Sequence, residues 1–419
     1  MVLSPPDPPT ERPGLDAERL ARTLNELFPA DGAYWVAYSG GLDSTVLLTA
    51  LADRRELLRA PLRAVHVDHG LQPESATWAD RCEAVCRALD VPFTLCRVDA
   101  RPARGESPEA AARDARYDAM ADVIGDQDVL LTAHHRDDQA ETVLLQLMRG
   151  AGVAGIAAMP ALKAFGRGWH ARPLLDLPRA ALQRWAEAHR LQWIDDPSNQ
   201  QIDADRNYLR HRVLPALAER WPGATGSIAR TAAHAAAAHH ALQEQAAADL
   251  DAAAIDRHRI DLAVFAGFSA LRQRAVLQQW FRRAAVAPPS STTLAELRHQ
   301  LLQAREDSGL CFELGRYRLR RFRGIAWLIE APPVDAPGGA IAWPDGSESL
   351  ALPYGLVRRV WRRGGIAPES WSNGRPEIRF RAPGFRCQPV GRQGRRALKA
   401  IAQEHGIPPW QRPWLPLLY

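Results

Sequence analysis

Between residues 33 and 133 the chain alternates short apolar runs with longer amphipathic ones, and polar motifs close three of the apolar runs. The runs 34–38, 62–67, 93–98 and 129–133 read as strands, and 44–53, 76–89 and 109–124 read as the helices between them. Strands joined through helices must cross over, which predicts βαβ units and a parallel sheet. Ligands of such a sheet bind beyond the carboxyl ends of its strands. Three motifs fall there: SGGLDST (39–45), HVDHG (66–70) and TAHHRDDQAET (132–142).

SGGLDST has the composition of an anion site. Glycine lets the backbone approach an anion and adopt positive φ. The hydroxyls of Ser39, Ser44 and Thr45 can donate to phosphate oxygens, and the following helix points its N–H groups at the same place. Asp43 beside a phosphate calls for Mg²⁺ between them. The only lysines are Lys163 and Lys399, and neither stands in a GK[ST] sequence, so this is not a Walker A loop.

In TAHHRDDQAET, Asp137, Asp138 and Glu141 share one side of a helix start. They suit an amine ligand, and they equally suit a helix cap and capping box. His134 and His135 lack third and fourth ligands at zinc spacing. His66 and His69, at a strand end, suit a structural role as well as a nucleotide site. EAAARDARY places Glu109, Arg113 and Tyr117 on one helical face. Further on, RNYLRHRVLP places Arg206 and Arg210 four apart, beside Asn207, on a face suited to phosphates. The same segment could instead pair with Asp195, Asp196, Asp203 and Asp205.

The rest divides by composition. The Pro-rich start 1–20 reads as a disordered leader, with neither the basic nor the apolar region of a signal peptide. A parallel-sheet domain is expected over 21–217, a mainly helical one over 218–330 with a hairpin-like stretch near its end, a Pro/Gly linker over 331–345, and a small α+β domain over 346–419. No apolar run approaches the ~20 residues a membrane span needs, so a cytoplasmic protein without a membrane partner is expected. Five cysteines, with no CxxC pair, argue against a disulfide framework or a cluster site, and Cys82 and Cys86 read as buried small hydrophobes. The formal charge of +5 is uneven: residues 351–419 carry 13 Arg and Lys against 3 Asp and Glu. Arginine interleaved with Trp361, Phe380 and Phe385 fits a surface that reads a nucleic-acid backbone. Arg395, Arg396 and Lys399 in GRQGRRALK belong to it.

SGGLDST resembles the pyrophosphate loop (PP-loop) of the N-type ATP pyrophosphatases. With VHVDHGL, GESPEAAARDARY, TAHHRDDQAET, RGAGVAGIAAM, RPLL and DDPSNQQIDADRNYLRHRVLP, in that order, the chain resembles the tRNA(Ile)-lysidine synthetase family. The resemblance is dense from 33 to 215 and weaker beyond. It implies an adenine nucleotide alpha hydrolase-like α/β domain that cleaves ATP between the α- and β-phosphates. It also implies ligation of free lysine to C2 of the wobble cytidine of a CAU-anticodon tRNA(Ile), through an adenylated intermediate. Implied ATP ligands are Ser39, Gly40, Gly41, Leu42, Asp43, Ser44 and His66, with Asp43 also toward Mg²⁺. Arg113, Asp138 and Glu141 are implied around lysine, and Asp43, Arg113, Asp138, Glu141 and His134 in catalysis, with the base left open between a carboxylate and His134. Arg206, Asn207, Arg210, Arg395, Arg396 and Lys399 are expected toward tRNA, and homodimerisation is carried as an expectation. A tRNA thiolase would want CxxC pairs, and a glutamine amidotransferase an early cysteine, where Val2 follows Met1.

Overall fold

The computed structural model describes residues 14–28, 32–68, 70, 75–99, 108–197, 204–305, 309–331, 339–352, 355–360, 366–380, 384–388 and 394–419. By its contacts the chain divides into two units, Met1–Ala241 and Leu242–Tyr419.

The first unit opens with α1 (Ala17–Leu27), whose N-cap Asp16 accepts from the Glu18 and Arg19 amides. Residues 17–20, expected to belong to a disordered leader, are helical, because a capped amphipathic turn starts there; residues 1–13 lie outside the described part. Next come β1 (Tyr34–Ala37), α2 (Leu42–Ala52), β2 (Leu62–Asp68), α3 (Ser75–Ala88), β3 (Phe93–Arg97), α4 (Pro108–Val123) and β4 (Val129–Leu131). All seven match the alternation expected from sequence to within about two residues. Then follow α5 (Arg136–Met148), α6 (Val153–Ile156), β5 (Leu162–Phe165), β6 (Gly168–Ala171), α7 (Arg179–Ala188), α8 (Asp205–Tyr208), a π-helical turn over Leu209–Val213, α9 (Leu214–Arg220) and the long α10 (Ala224–Ala253).

Among the described residues six strands form one sheet in the order β3-β2-β1-β4-β6-β5. All neighbours are parallel except the edge pair β5–β6. That antiparallel hairpin was not anticipated from sequence. The chain runs outward from β1 through β2 to β3, then returns to place β4 on the other side of β1. This reversal of strand order opens a crevice beyond the carboxyl ends of β1 and β4, where open α/β sheets bind ligands.

The sheet is buried on both faces, as parallel sheets are. Tyr34, Val36, Ala64, Val129 and Leu131 pack toward α1, α2, α3 and α7. Trp35, Val65 and Leu130 point the other way, against Met120 and Ile124 around α4. Helix α2 is buried along nearly its whole length, so the loop before it is anchored by the core.

The second unit holds β7 (Ala254–Asp256), β8 (Arg259–Asp261), α11 (Leu262–Ala266), α12 (Ala270–Arg283), α13 (Ser291–Gln303), β9 (Cys311–Leu314), β10 (Tyr317–Phe322) and β11 (Ile325–Glu330). These five strands form a sheet ordered β7-β8-β11-β10-β9, so the segment expected to be mainly helical also carries an antiparallel sheet packed on helices. After it come β12 (Ala340–Ala342), β13 (Ser349–Leu352), β14 (Gly355–Arg358), α14 (Pro368–Asn373), β15 (Glu377–Phe380), β16 (Arg386–Cys387), β17 (Arg396–Ala397), α15 (Leu398–Glu404) and β18 (Pro416–Leu418). Strand β12 lies inside the expected linker and pairs with β15, because Ile341 packs on a small core of Trp343, Leu350, Ile378 and Phe380.

Candidate active site

The loop from β1 to α2 is shaped for an anion. Gly40 has φ +82°, and a Cβ there would sit 2.6 Å from Ile194 Cδ1 and 2.9 Å from Cys82 Sγ. Gly41 is the N-cap of α2 and offers no side-chain cap, which leaves the helix N-terminus open to a ligand. The hydroxyls brace the loop: Ser44 Oγ donates to Gly41 O at 3.0 Å, Thr45 Oγ1 donates to the same oxygen at 2.9 Å, and the Ser39 and Ser44 oxygens lie 3.1 Å apart. The amide of Ile194 donates to Gly40 O, seating the segment after α7 on the loop.

Asp43, one residue into α2, keeps a buried Oδ1 without a hydrogen-bond partner. Its other oxygen lies 3.6 Å from His135 Nε2, and Arg179 Nε approaches Oδ1 to 4.0 Å. A carboxylate oxygen left bare beside an anion loop fits Mg²⁺, which takes one or two carboxylates together with substrate phosphates. Among the described residues no three His, Cys, Asp or Glu side chains gather as metal ligands.

His135 is the N-cap of α5. Its Nδ1 accepts from the Asp138 amide at 3.4 Å while Asp138 Oδ2 accepts from the His135 amide at 2.9 Å, a capping box. Burial alone lowers the His135 pKa, but Asp43, Asp138 and Asp137 around it outweigh burial and raise it. Asp137 is used structurally, accepting the Arg179 amide at the start of α7.

Glu141 is fully buried and accepts from Arg206 Nε at 2.9 Å and from Arg210 Nε and Nη2 at 2.6 and 3.0 Å. Arg210 Nη2 also donates to Asp138 Oδ1 at 2.9 Å, and Arg206 Nη2 to Thr142 Oγ1 at 3.2 Å. Burial would raise the Asp138 pKa, yet His135, His134 and Arg210 hold it below the usual carboxylate range. This arginine face was expected to meet phosphates. Arg206 and Arg210 do share a face, but that face meets Asp138 and Glu141.

A second cluster, unforeseen from sequence, lies where β4 and β6 end. Thr132 Oγ1 is 2.7 Å from His134 Nδ1 and 2.8 Å from His170 Nε2. Arg172 donates from Nη2 to His170 Nδ1 at 3.3 Å and from Nη1 to Pro160 O at 2.7 Å. Tyr117 packs its ring 5.7 Å from that of His170, and Arg113 lies over the Tyr117 ring at 5.1 Å with Lys163 at 5.9 Å. Burial, reinforced by Arg172, lowers the pKa of His170 to about 2; burial and nearby arginines, against Asp138, lower that of His134 to about 3. Arg172 was visible only as the first residue of RPLL, and His170 carried no signal at all.

His66 is buried, with Nδ1 2.7 Å from Tyr38 O and its ring stacked 6.3 Å from Phe93. It therefore ties β1 to β2 just beside the loop. The side chain of Glu109, His69 and Trp361 fall outside the described residues. In the second unit Arg395 and Lys399 are exposed, whereas Arg396 is paired with Glu404 at 2.8 Å. Cys82 and Cys86 are buried, and burial first of all pushes both thiols up to about 12. No helix among the described residues is long and apolar enough to cross a membrane.

A parallel sheet with a glycine loop opening onto a buried helix, and acids and arginines gathered beyond the next strand, defines a PP-loop protein that uses ATP; the PP-loop domain model matches residues 16–217. Two further models match, the TilS substrate binding domain over 260–327 and the TilS substrate C-terminal domain over 377–419. The tRNA(Ile)-lysidine synthase of Alkalilimnicola ehrlichii is 41% identical over 97% of this chain and 91% of its own length. Those of Pseudomonas putida (41%, covering 92% and 90%) and Coxiella burnetii (37%, covering 96% and 89%) are similar. The chain belongs to the tRNA(Ile)-lysidine synthase family. A solved U34-tRNA thiolase of Methanococcus maripaludis overlays with TM-score 0.45 at 18% identity, covering 52% of this chain and 76% of that one, too loosely to carry an argument.

Proposed function

We propose that the protein joins the ε-amine of free lysine to C2 of the wobble cytidine in a CAU-anticodon tRNA(Ile), acting in the cytoplasm. In the first step the cytidine C2 oxygen attacks the α-phosphorus of ATP, the bond to the β-phosphate breaks, and pyrophosphate leaves. In the second the lysine nitrogen bonds to C2, the C2–O bond breaks, AMP leaves with that oxygen, and the amine gives up a proton. The modified base pairs with A instead of G.

The convergence of an uncapped helix start, Gly40 at positive φ and the bare Oδ1 of Asp43 carries this reading. Ser39, Gly40, Gly41, Leu42 and Ser44 would hold the leaving pyrophosphate through backbone N–H groups and hydroxyls. Mg²⁺, held by Asp43, would neutralise phosphate charge there. His66 keeps the nucleotide side of the crevice in shape. Arg113, over the Tyr117 ring, would stabilise the charge that develops on the transferred group. Free lysine brings ammonium and carboxylate groups together, and Asp138 and Glu141 with Arg206 and Arg210 form a complementary array of both signs. Asn207, Arg395, Arg396 and Lys399 are assigned to tRNA. Homodimerisation is testable by light scattering.

Product analysis tests the reaction class. With ATP, lysine and tRNA the products should be AMP and pyrophosphate, and Asp43→Ala should stop their release while tRNA binding stays near normal. ADP and inorganic phosphate as products would overturn it.

A further inference from the structure

We infer that a one-way chain of hydrogen bonds holds His134 as the neutral Nε2–H tautomer, so that it serves as a hydrogen-bond donor and not as the base that takes the proton from lysine. The role in lysine transfer rests on the proposed reaction; the tautomer does not.

The direction of the chain is set at Arg172. A guanidinium has donors only, and Arg172 Nη2 faces His170 Nδ1 at 3.3 Å. That nitrogen must therefore be bare, and the neutral ring carries its hydrogen on Nε2. Nε2 lies 2.8 Å from Thr132 Oγ1, to which it donates. A threonine hydroxyl has one hydrogen. With its oxygen accepting from His170, that hydrogen goes to the other neighbour, His134 Nδ1 at 2.7 Å. His134 then accepts at Nδ1 and keeps its hydrogen on Nε2.

The chain is fixed by the fold. Leu131 pairs with Ala171 across β4 and β6, and the Thr132 amide donates to Ala171 O at 3.1 Å. This sets Thr132 beside His170 on adjacent strand ends. Thr132, His170 and Arg172 are 7%, 0% and 4% exposed, so water does not compete for these bonds. Protonating His134 would bring two N–H groups onto one hydroxyl oxygen and leave the hydroxyl hydrogen without an acceptor. Arg172, Arg206 and Arg113 oppose the extra charge, and Asp138 is the acid that favours it.

Two consequences follow for the chemistry. The Nε2–H of His134 is available to an acceptor, which suits the oxygen that leaves C2 with AMP or a phosphate oxygen. The proton of lysine passes to a carboxylate. Thr132, His170 and Arg172 are positioning residues for His134.

The test uses the full chain with ring-¹⁵N histidine and long-range ¹H–¹⁵N correlation, which reads which ring nitrogen is bare. His134→Gln and His170→Gln assign the two signals by their loss. Both rings should show a bare Nδ1 and stay neutral across roughly pH 5 to 8, where an ordinary histidine changes charge. In Thr132→Val the His134 ring should stay neutral but lose its fixed tautomer, with hydrogen shared between Nδ1 and Nε2, and turnover should fall about 10- to 100-fold, as when an outer hydrogen-bond partner is lost. Thr132→Ser should restore both. A His134 ring with Nδ1–H, or one that titrates normally in the unmodified protein, overturns the inference. So does a Thr132→Val ring that behaves like the native one. Because the tautomer is read without lysine or tRNA, failure to make lysidine would count against the proposed reaction alone.

Discussion

Glu141 can be removed with a calculable result. Its side chain is fully buried and accepts three N–H groups, from Arg206 Nε, Arg210 Nε and Arg210 Nη2, at 2.6–3.0 Å. Glu141→Ala leaves two guanidiniums, 25% and 29% exposed, without their main partner. Breaking a buried ion pair from one side costs about 3–5 kcal/mol. Residual water access, and the bonds Arg206 and Arg210 keep to Thr142 and Asp138, put the cost near the lower end, about 3 kcal/mol. For a unit of this size each kcal/mol moves Tm by about 2–4 °C, so a fall of about 6–12 °C is expected in the absence of lysine. Hydrogen exchange should quicken over α8 and the π-helical turn, which Glu141 ties to α5. Glu141→Gln, with one acceptor oxygen left, should lose less. A Tm within about 1 °C of the parent would refute the reasoning, because Glu141 would then not hold the arginines; a raised KM for lysine is expected in either case from its place in the lysine array.

Gly40→Ala places a methyl against Ile194 and Cys82 at φ +82°; it should cost about 1–3 kcal/mol and abolish ATP binding in equilibrium dialysis. The double change Arg395→Ala/Lys399→Ala removes two exposed cations and should weaken tRNA binding, lowering the slope of log Kd against log salt by about 2; an unchanged slope would remove them from the interface. Alkylation at mild alkaline pH should modify exposed Cys311 and spare Cys82 and Cys86, whose buried thiols are pushed up to about 12, as peptide mass mapping would show.

The loop and its sheet were readable because their signals are local. A four-residue apolar run before SGGLDST is a strand handing over to a helix, and β1–α2 forms there. The hairpin β5–β6 escaped notice because its strands are four residues each, show no run of β-branched residues, and are joined by Gly166 and Arg167. With the hairpin went His170, since only the β4–β6 register brings it to Thr132. The arginine pair shows a different limit. Spacing of four correctly placed Arg206 and Arg210 on one face, but periodicity does not say what a face meets. Their partner lies 65 and 69 residues earlier in the chain, a long-range pairing that only the folded chain sets.

The central claim is that this site transfers lysine to one kind of tRNA. Incubating the protein with ATP, Mg²⁺, labelled lysine and an unmodified CAU-anticodon tRNA(Ile) transcript measures it directly. The account predicts label in the tRNA(Ile) at the wobble cytidine and little in elongator tRNA(Met), which shares the anticodon. Absence of transfer to a tRNA that the protein demonstrably binds, or equal transfer to both tRNAs, would contradict it.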